Sequence, residues 1–137
     1  MSTIKLEKKY PVSKEKVWAY LINDELLSSW CMPCNGFALE KGQEFVFEIG
    51  ANAFFDGTFY NKVIDFDEQN FLTYQCVSKK PALDTLVNWT LTEQDGETTL
   101  MLTHSGFKGS DLMTKPVLKA GWTKMMDEHL YEKLVNL

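Results

Sequence analysis

Two cysteines with two residues between them, Cys31-Met32-Pro33-Cys34, form the sharpest chemical motif in this 137-residue sequence. Cys-x-x-Cys at the start of a helix yields a thiolate of low pKa and supports thiol–disulfide exchange. The same two thiols and the chain's two histidines, His104 and His129, add up to the donor count of a Cys₂His₂ zinc site. His104 follows Leu100 and Leu102 at strand spacing. His129 falls within an arc of Leu118, Trp122, Met125, Met126 and Leu130 at helical spacing. Two imidazoles on apolar faces can hydrogen-bond a carbonyl or hydroxyl group, or act as acid and base. Four carboxylates, Asp56, Asp65, Asp67 and Glu68, complete the set of groups able to do chemistry.

The elements that carry these groups weaken several of the readings. Residues 4–10 alternate as an opening strand that Pro11 ends. Ser13 is placed to cap a helix, with Val12 and Val17 as a hydrophobic staple and Glu15 in the first turn. Asp24 is placed to cap a second short helix through Leu26, Leu27 and Trp30. Cys31 therefore follows a helix rather than opening one, and Asn35-Gly36 leads into a strand, the reverse of the thioredoxin arrangement. From Gly36 the period becomes two. Strands are expected over 37–39, 45–49, 53–66, 71–77, 86–92 and 97–104, with Asp95-Gly96 as a type I′ hairpin turn. Phe55, Gly57, Phe59 and Val63 share the inner face of the long strand, which turns Asp56 outward. Asp65, Asp67 and Glu68 fall at a turn, the ordinary place for solvated acids. Residues 105–109 read as a loop, and 116–137 as a helix with Pro116 in its first turn.

Composition sets the outer limits. The chain is one domain long, 1–137, and 45% of its residues are hydrophobic, enough for a substantial core. Net charge is −5 and all 14 basic residues are lysine. Without arginine, the bidentate reader of phosphate and guanine, nucleic acid is not an expected partner. No run reaches the ~18 apolar residues of a membrane span, and the N-terminus has no apolar signal segment, so a soluble cytoplasmic protein is expected. Three cysteines do not make a disulfide framework. No cofactor or metal is expected.

The motifs also carry a resemblance. Val17-Trp18, Trp30, Val87-x-Trp89-x-Leu91, Leu100-x-Leu102-x-His104-Ser105-Gly106-Phe107 and Gly121-Trp122 occur in an order that resembles the AHSA1-like branch (activator of Hsp90 ATPase homologue) of the START/Bet v 1-like, or SRPBCC, superfamily. The resemblance implies an α+β helix-grip fold, β-α-α-β6-α, in which a seven-stranded antiparallel sheet wraps round a long C-terminal helix and leaves a cavity between them. It further implies an apolar or amphipathic small-molecule ligand. His104, His129, Trp122, Trp89, Met126 and Phe59 are the expected contacts. Two features depart from the family pattern: Asp65-Phe66-Asp67-Glu68 replaces a Pro-Pro turn, and His129 stands where leucine is expected. The co-chaperone that names the branch carries a separate Hsp90-binding region, for which this chain is expected to be too short. The leading expectation is a binding domain without catalytic residues. Its alternatives are a chaperone-associated or self-associating protein-binding module, and a cavity enzyme using the histidines or the Cys31/Cys34 thiols.

Overall fold

The computed structural model describes residues 2–51 and 55–135. Seven strands form one antiparallel sheet in the order β1-β7-β6-β5-β4-β3-β2. They are β1 (Ser2–Tyr10), β2 (Cys34–Asn35), β3 (Glu44–Glu48), β4 (Thr58–Asp67), β5 (Phe71–Ser78), β6 (Leu83–Gln94) and β7 (Glu97–Phe107). Two short helices, α1 (Lys14–Ala19) and α2 (Asp24–Trp30), separate β1 from β2. Beyond β7, α3 (Asp111–Lys124) passes through a π-helical stretch (Met125–Leu130) into α4 (Tyr131–Val135). This is the helix-grip fold.

Local chemistry explains most of the boundaries. Ser13 accepts from the Lys16 amide and caps α1. Asp95 and Gly96 both have positive φ, as a type I′ turn between β6 and β7 requires. The period-two pattern of β4 to β7 places Phe59, Val63, Leu72, Tyr74, Val87, Trp89, Leu100 and Leu102 in one buried layer.

Several expected boundaries move. The strand expected at 37–39 is a loop, and β2 is only Cys34–Asn35, pairing with Val46 and Phe47. The long strand begins at Thr58, and the expected start at Ala53 lies outside the described residues. β7 continues through the expected loop to Phe107, because a bulge at Gly106 (φ 99°) lets the strand keep pairing with β1. The last helix starts at Asp111, not Pro116, which lies inside α3. Asn23, not Asp24, caps α2 by accepting from the Leu26 amide.

The largest correction concerns the last helix. Trp122, Met126, Leu130 and Leu134 are all buried, at intervals of four. An α-helix of 3.6 residues per turn would rotate such a row progressively off one face. The π-helical stretch widens the turn and keeps the row facing the sheet. The Tyr10 hydroxyl, on β1, donates to the Met126 carbonyl at 2.7 Å and ties this stretch to the sheet. Burial, aided by the charge of Asp127, pushes the Tyr10 phenol above its ordinary pKa, so it stays a donor. In this register His129 is exposed. An undistorted helical period would have put it beside Trp122.

Candidate functional site

Between the inner face of the sheet and α3 lies a cavity of about 360 Å³. Phe47, Phe59, Tyr74, Cys76 and His104 form its sheet wall. Val117, Leu118, Gly121, Trp122, Lys124 and Met125 form its helix wall, with Met32, Ile49 and Phe55 between. Ile49 and Val117 in this lining are 37% and 41% exposed, so the cavity is not sealed from solvent.

Of the six expected contacts, Phe59, His104 and Trp122 line this cavity. Trp89 lies behind it, edge-on to Trp122 with centroids 5.4 Å apart and edge-on to Trp30 at 6.0 Å. Met126 is a buried core residue of the π-helical stretch. His129 is on the outer surface and cannot meet His104 across the cavity.

His104 is 2% exposed and both of its ring nitrogens are engaged. Trp122 Nε1 lies 3.1 Å from His104 Nδ1, and Thr85 Oγ1 lies 2.8 Å from His104 Nε2. An indole N–H only donates, so Nδ1 is the acceptor and the imidazole proton resides on Nε2. That proton goes to Thr85 Oγ1, whose own hydroxyl donates to the Cys76 carbonyl at 2.9 Å. The chain of bonds therefore runs in one direction, from Trp122 through His104 and Thr85 to the β5 backbone. Burial lowers the His104 pKa to about 4, so the ring is neutral at pH 7. A second ring proton would confront the Trp122 N–H donor to donor. Neither nitrogen is left to bond a ligand or to move a proton. The sequence expectation of a His104 hydrogen bond to the ligand gives way to a structural role: His104 fixes the orientation of Trp122 in the helix wall.

The two motif thiols sit where a thiolate is disfavoured. Cys31 is the C-cap residue that follows α2, at the end where the helix dipole disfavours a thiolate. Cys34 Sγ donates to Asp24 Oδ1 at 3.2 Å, and the same carboxylate accepts from the amides of Gly36 and Phe37. Burial pushes both thiols up, and the Asp24 hydrogen bond and charge push Cys34 further. Cys76, on the cavity wall, is pushed up to about 12 by burial. All three cysteines are free thiols. Among the described residues, no group of three or more His, Cys, Asp or Glu side chains is placed to hold a metal ion.

Gly57 and Gly121 are the two positions where a missing side chain could leave space. Gly57 has a φ of 101°, and a Cβ there would lie 2.7 Å from the Ala51 nitrogen. It accommodates a close backbone approach, not a ligand. Gly121 lines the cavity, and a Cβ there would meet nothing within 4 Å.

Sequence reasoning missed Tyr74, Cys76 and Thr85 as parts of the site. The first two were legible from the alternation of β5 with Leu72. Thr85 lay just before the expected start of its strand. Asp24, whose carboxylate holds the Cys34–Phe37 loop, was read as a helix cap.

Comparison with known proteins agrees with this architecture. A family model, "Activator of Hsp90 ATPase homolog 1-like protein", matches residues 11–134. The chain belongs to this AHSA1-like family. Solved structures with the same fold include protein MLL2253 from Mesorhizobium loti, 23% identical, with a TM-score of 0.84 over 98% of this chain and 97% of that one. Protein BH1534 from Bacillus halodurans is 22% identical, with a TM-score of 0.79 over 98% and 97%. The Aha1 dimer from Colwellia psychrerythraea is 19% identical, with a TM-score of 0.76 over 98% and 96%. No curated protein sequence gives a significant match. Among the described residues of this AHSA1-like chain, no helix is long and apolar enough to cross a membrane.

Proposed function

We propose that this AHSA1-like chain is a non-enzymatic cytoplasmic domain, 1–137, that holds a small apolar or amphipathic molecule between sheet and last helix. The observation that carries the reading is the vacancy at Gly121, in a wall otherwise made of aromatic, aliphatic and sulfur-containing side chains. A cavity of this size is at the small end of ligand pockets, and apolar lining favours guests that leave water readily. Trp122 and Phe59 are the contacts of greatest weight. Trp89 acts through Trp122, and Met126 by holding the helix in register. The engaged nitrogens of His104 and the raised pKa values of Cys31 and Cys34 favour binding over acid–base or thiol catalysis.

The test is a thermal-shift screen against lipids, aromatics and polyketide-like compounds, run in parallel on wild type and on Gly121→Leu. The leucine side chain would occupy the cavity while leaving the helix intact. Hits on the wild type that weaken at least about tenfold in the variant are expected, because the cavity loses the volume of several ligand carbons. No hit on the wild type, or equal binding to both proteins, would sink the reading.

A second reading, a protein-binding module, has its own observation. Leu112 and Met113 at the start of α3 are 52% and 83% exposed. The family name makes a chaperone one candidate partner, and the Colwellia Aha1 dimer makes a second copy another. A monomeric sedimentation profile together with a negative Hsp90 pull-down would dispose of it.

A further inference from the structure

The cavity's polar groups are distributed unevenly, and that asymmetry bears on the ligand. On the inner wall the indole and imidazole nitrogens are engaged within the protein: Trp122 donates to His104, His104 to Thr85, and Trp89 Nε1 to the Tyr74 hydroxyl at 3.2 Å. A polar ligand group pushed against His104 or Trp122 would have to break a buried bond to make its own, at the cost of stranding the partner. The interior therefore favours hydrocarbon. At the helix wall stands Lys124, the one charged side chain that lines the cavity, and it is exposed to solvent. Among the described residues, no ion pair or hydrogen bond engages its ammonium group, although Asp127 and Glu128 follow one turn later.

Resting on the binding reading above, we propose that the ligand is a monoanionic amphiphile. Its apolar body fills the cavity and its carboxylate or equivalent anion lies against Lys124. The body is short. At roughly 30 Å³ per water-sized group, the space accommodates about a dozen non-hydrogen atoms. That is the size of a medium-chain carboxylate and is well below that of a sterol or a two-chain lipid. A lysine stem at this position would add apolar contact beneath the charge.

The experiment compares three probes of one chain length, sodium decanoate, 1-decanol and decylamine, below their aggregation limits at neutral pH by titration calorimetry. Decanoate is expected to bind about fivefold more tightly than decanol, the upper end for one exposed ion pair, and decylamine more weakly than either. Added salt should shrink the decanoate advantage. Lys124→Gln should bring decanoate down to the decanol level measured on the same variant, while Lys124→Glu should reverse the order in favour of decylamine. Equal binding of decanoate and decanol to the wild type, or an advantage that persists in Lys124→Gln, overturns the anion assignment and leaves the apolar cavity standing. Failure of all three probes to bind overturns both.

Discussion

The sheet wall and the helix wall of the cavity face the same space but are built differently. On the sheet side, Tyr74, Cys76 and His104 come from strands paired on both edges, are nearly inaccessible, and share one inner face with Val87 and Trp89. On the helix side, Val117 and Lys124 are exposed and Gly121 leaves its position empty. Trp122 reaches across, hydrogen-bonded to His104 and edge-on against Trp89. The sheet thus supplies a fixed floor and the helix an adaptable roof. Stability should depend on the first and ligand choice on the second.

The largest test of that division compares Trp89→Ala with Val117→Ala. Trp89 is 1% exposed and packs between Trp30 and Trp122. Its truncation should cost about 3–5 kcal/mol, as large aromatic-to-alanine changes in cores do. Val117→Ala, at the rim, should change stability by less than about 0.5 kcal/mol while weakening an apolar ligand. Urea denaturation of both variants reads the first effect and ligand titration the second. Comparable losses of stability would show that the roof is as much a part of the core as the floor.

The same division explains what could be read from the sequence. Strand faces are legible because the side-chain period is exact and neighbours cannot change it: Val87, Trp89, Leu100, Leu102 and His104 all lie where alternation puts them. The helix face depends on a period that local packing can stretch. Between Met125 and Leu130 it is stretched, and His129 moves outward as a result. The pairing of His104 was not legible either. Thr85 and Trp122 reach it from another strand and from the last helix, 19 and 18 residues away in sequence. Asp24 illustrates a third kind of miss. Its type suits a helix cap, but Asn23 takes that role, which frees the carboxylate for the Cys34–Phe37 loop.

His104 offers the next test, since it ties floor to roof. Burial holds its folded-state pKa near 4, against 6.5 for a free imidazole. The unfolded chain therefore takes up a proton first as pH falls. The stabilisation is fully present above about pH 6.5 and is lost progressively towards pH 4, where the linkage amounts to about 3 kcal/mol. Thermal or urea midpoints of the wild type should fall across that window. His104→Asn, though less stable at neutral pH, should show a flatter profile over the same range. An equally steep slope in the variant would move the pH dependence to the carboxylates and separate it from the cavity.

A smaller effect than at Trp89 or His104 is expected at Gly121, and its sign is informative. Gly121 lies in the interior of α3, where glycine costs about 1 kcal/mol relative to alanine. A Cβ at this position meets nothing within 4 Å, so Gly121→Ala should raise stability by about that amount. The same substitution at Gly57 should have the opposite sign. There φ is 101° and the new carbon would lie 2.7 Å from the Ala51 nitrogen and 2.8 Å from the Gly50 carbonyl carbon. Both are glycine-to-alanine changes, so a stability measurement on the pair isolates the space around each. A helix glycine kept at a cost in stability is expected where a guest needs the room. If Gly121→Ala is instead destabilising, the roof is already closed at that point, and the space above Trp122 is narrower than a ligand requires.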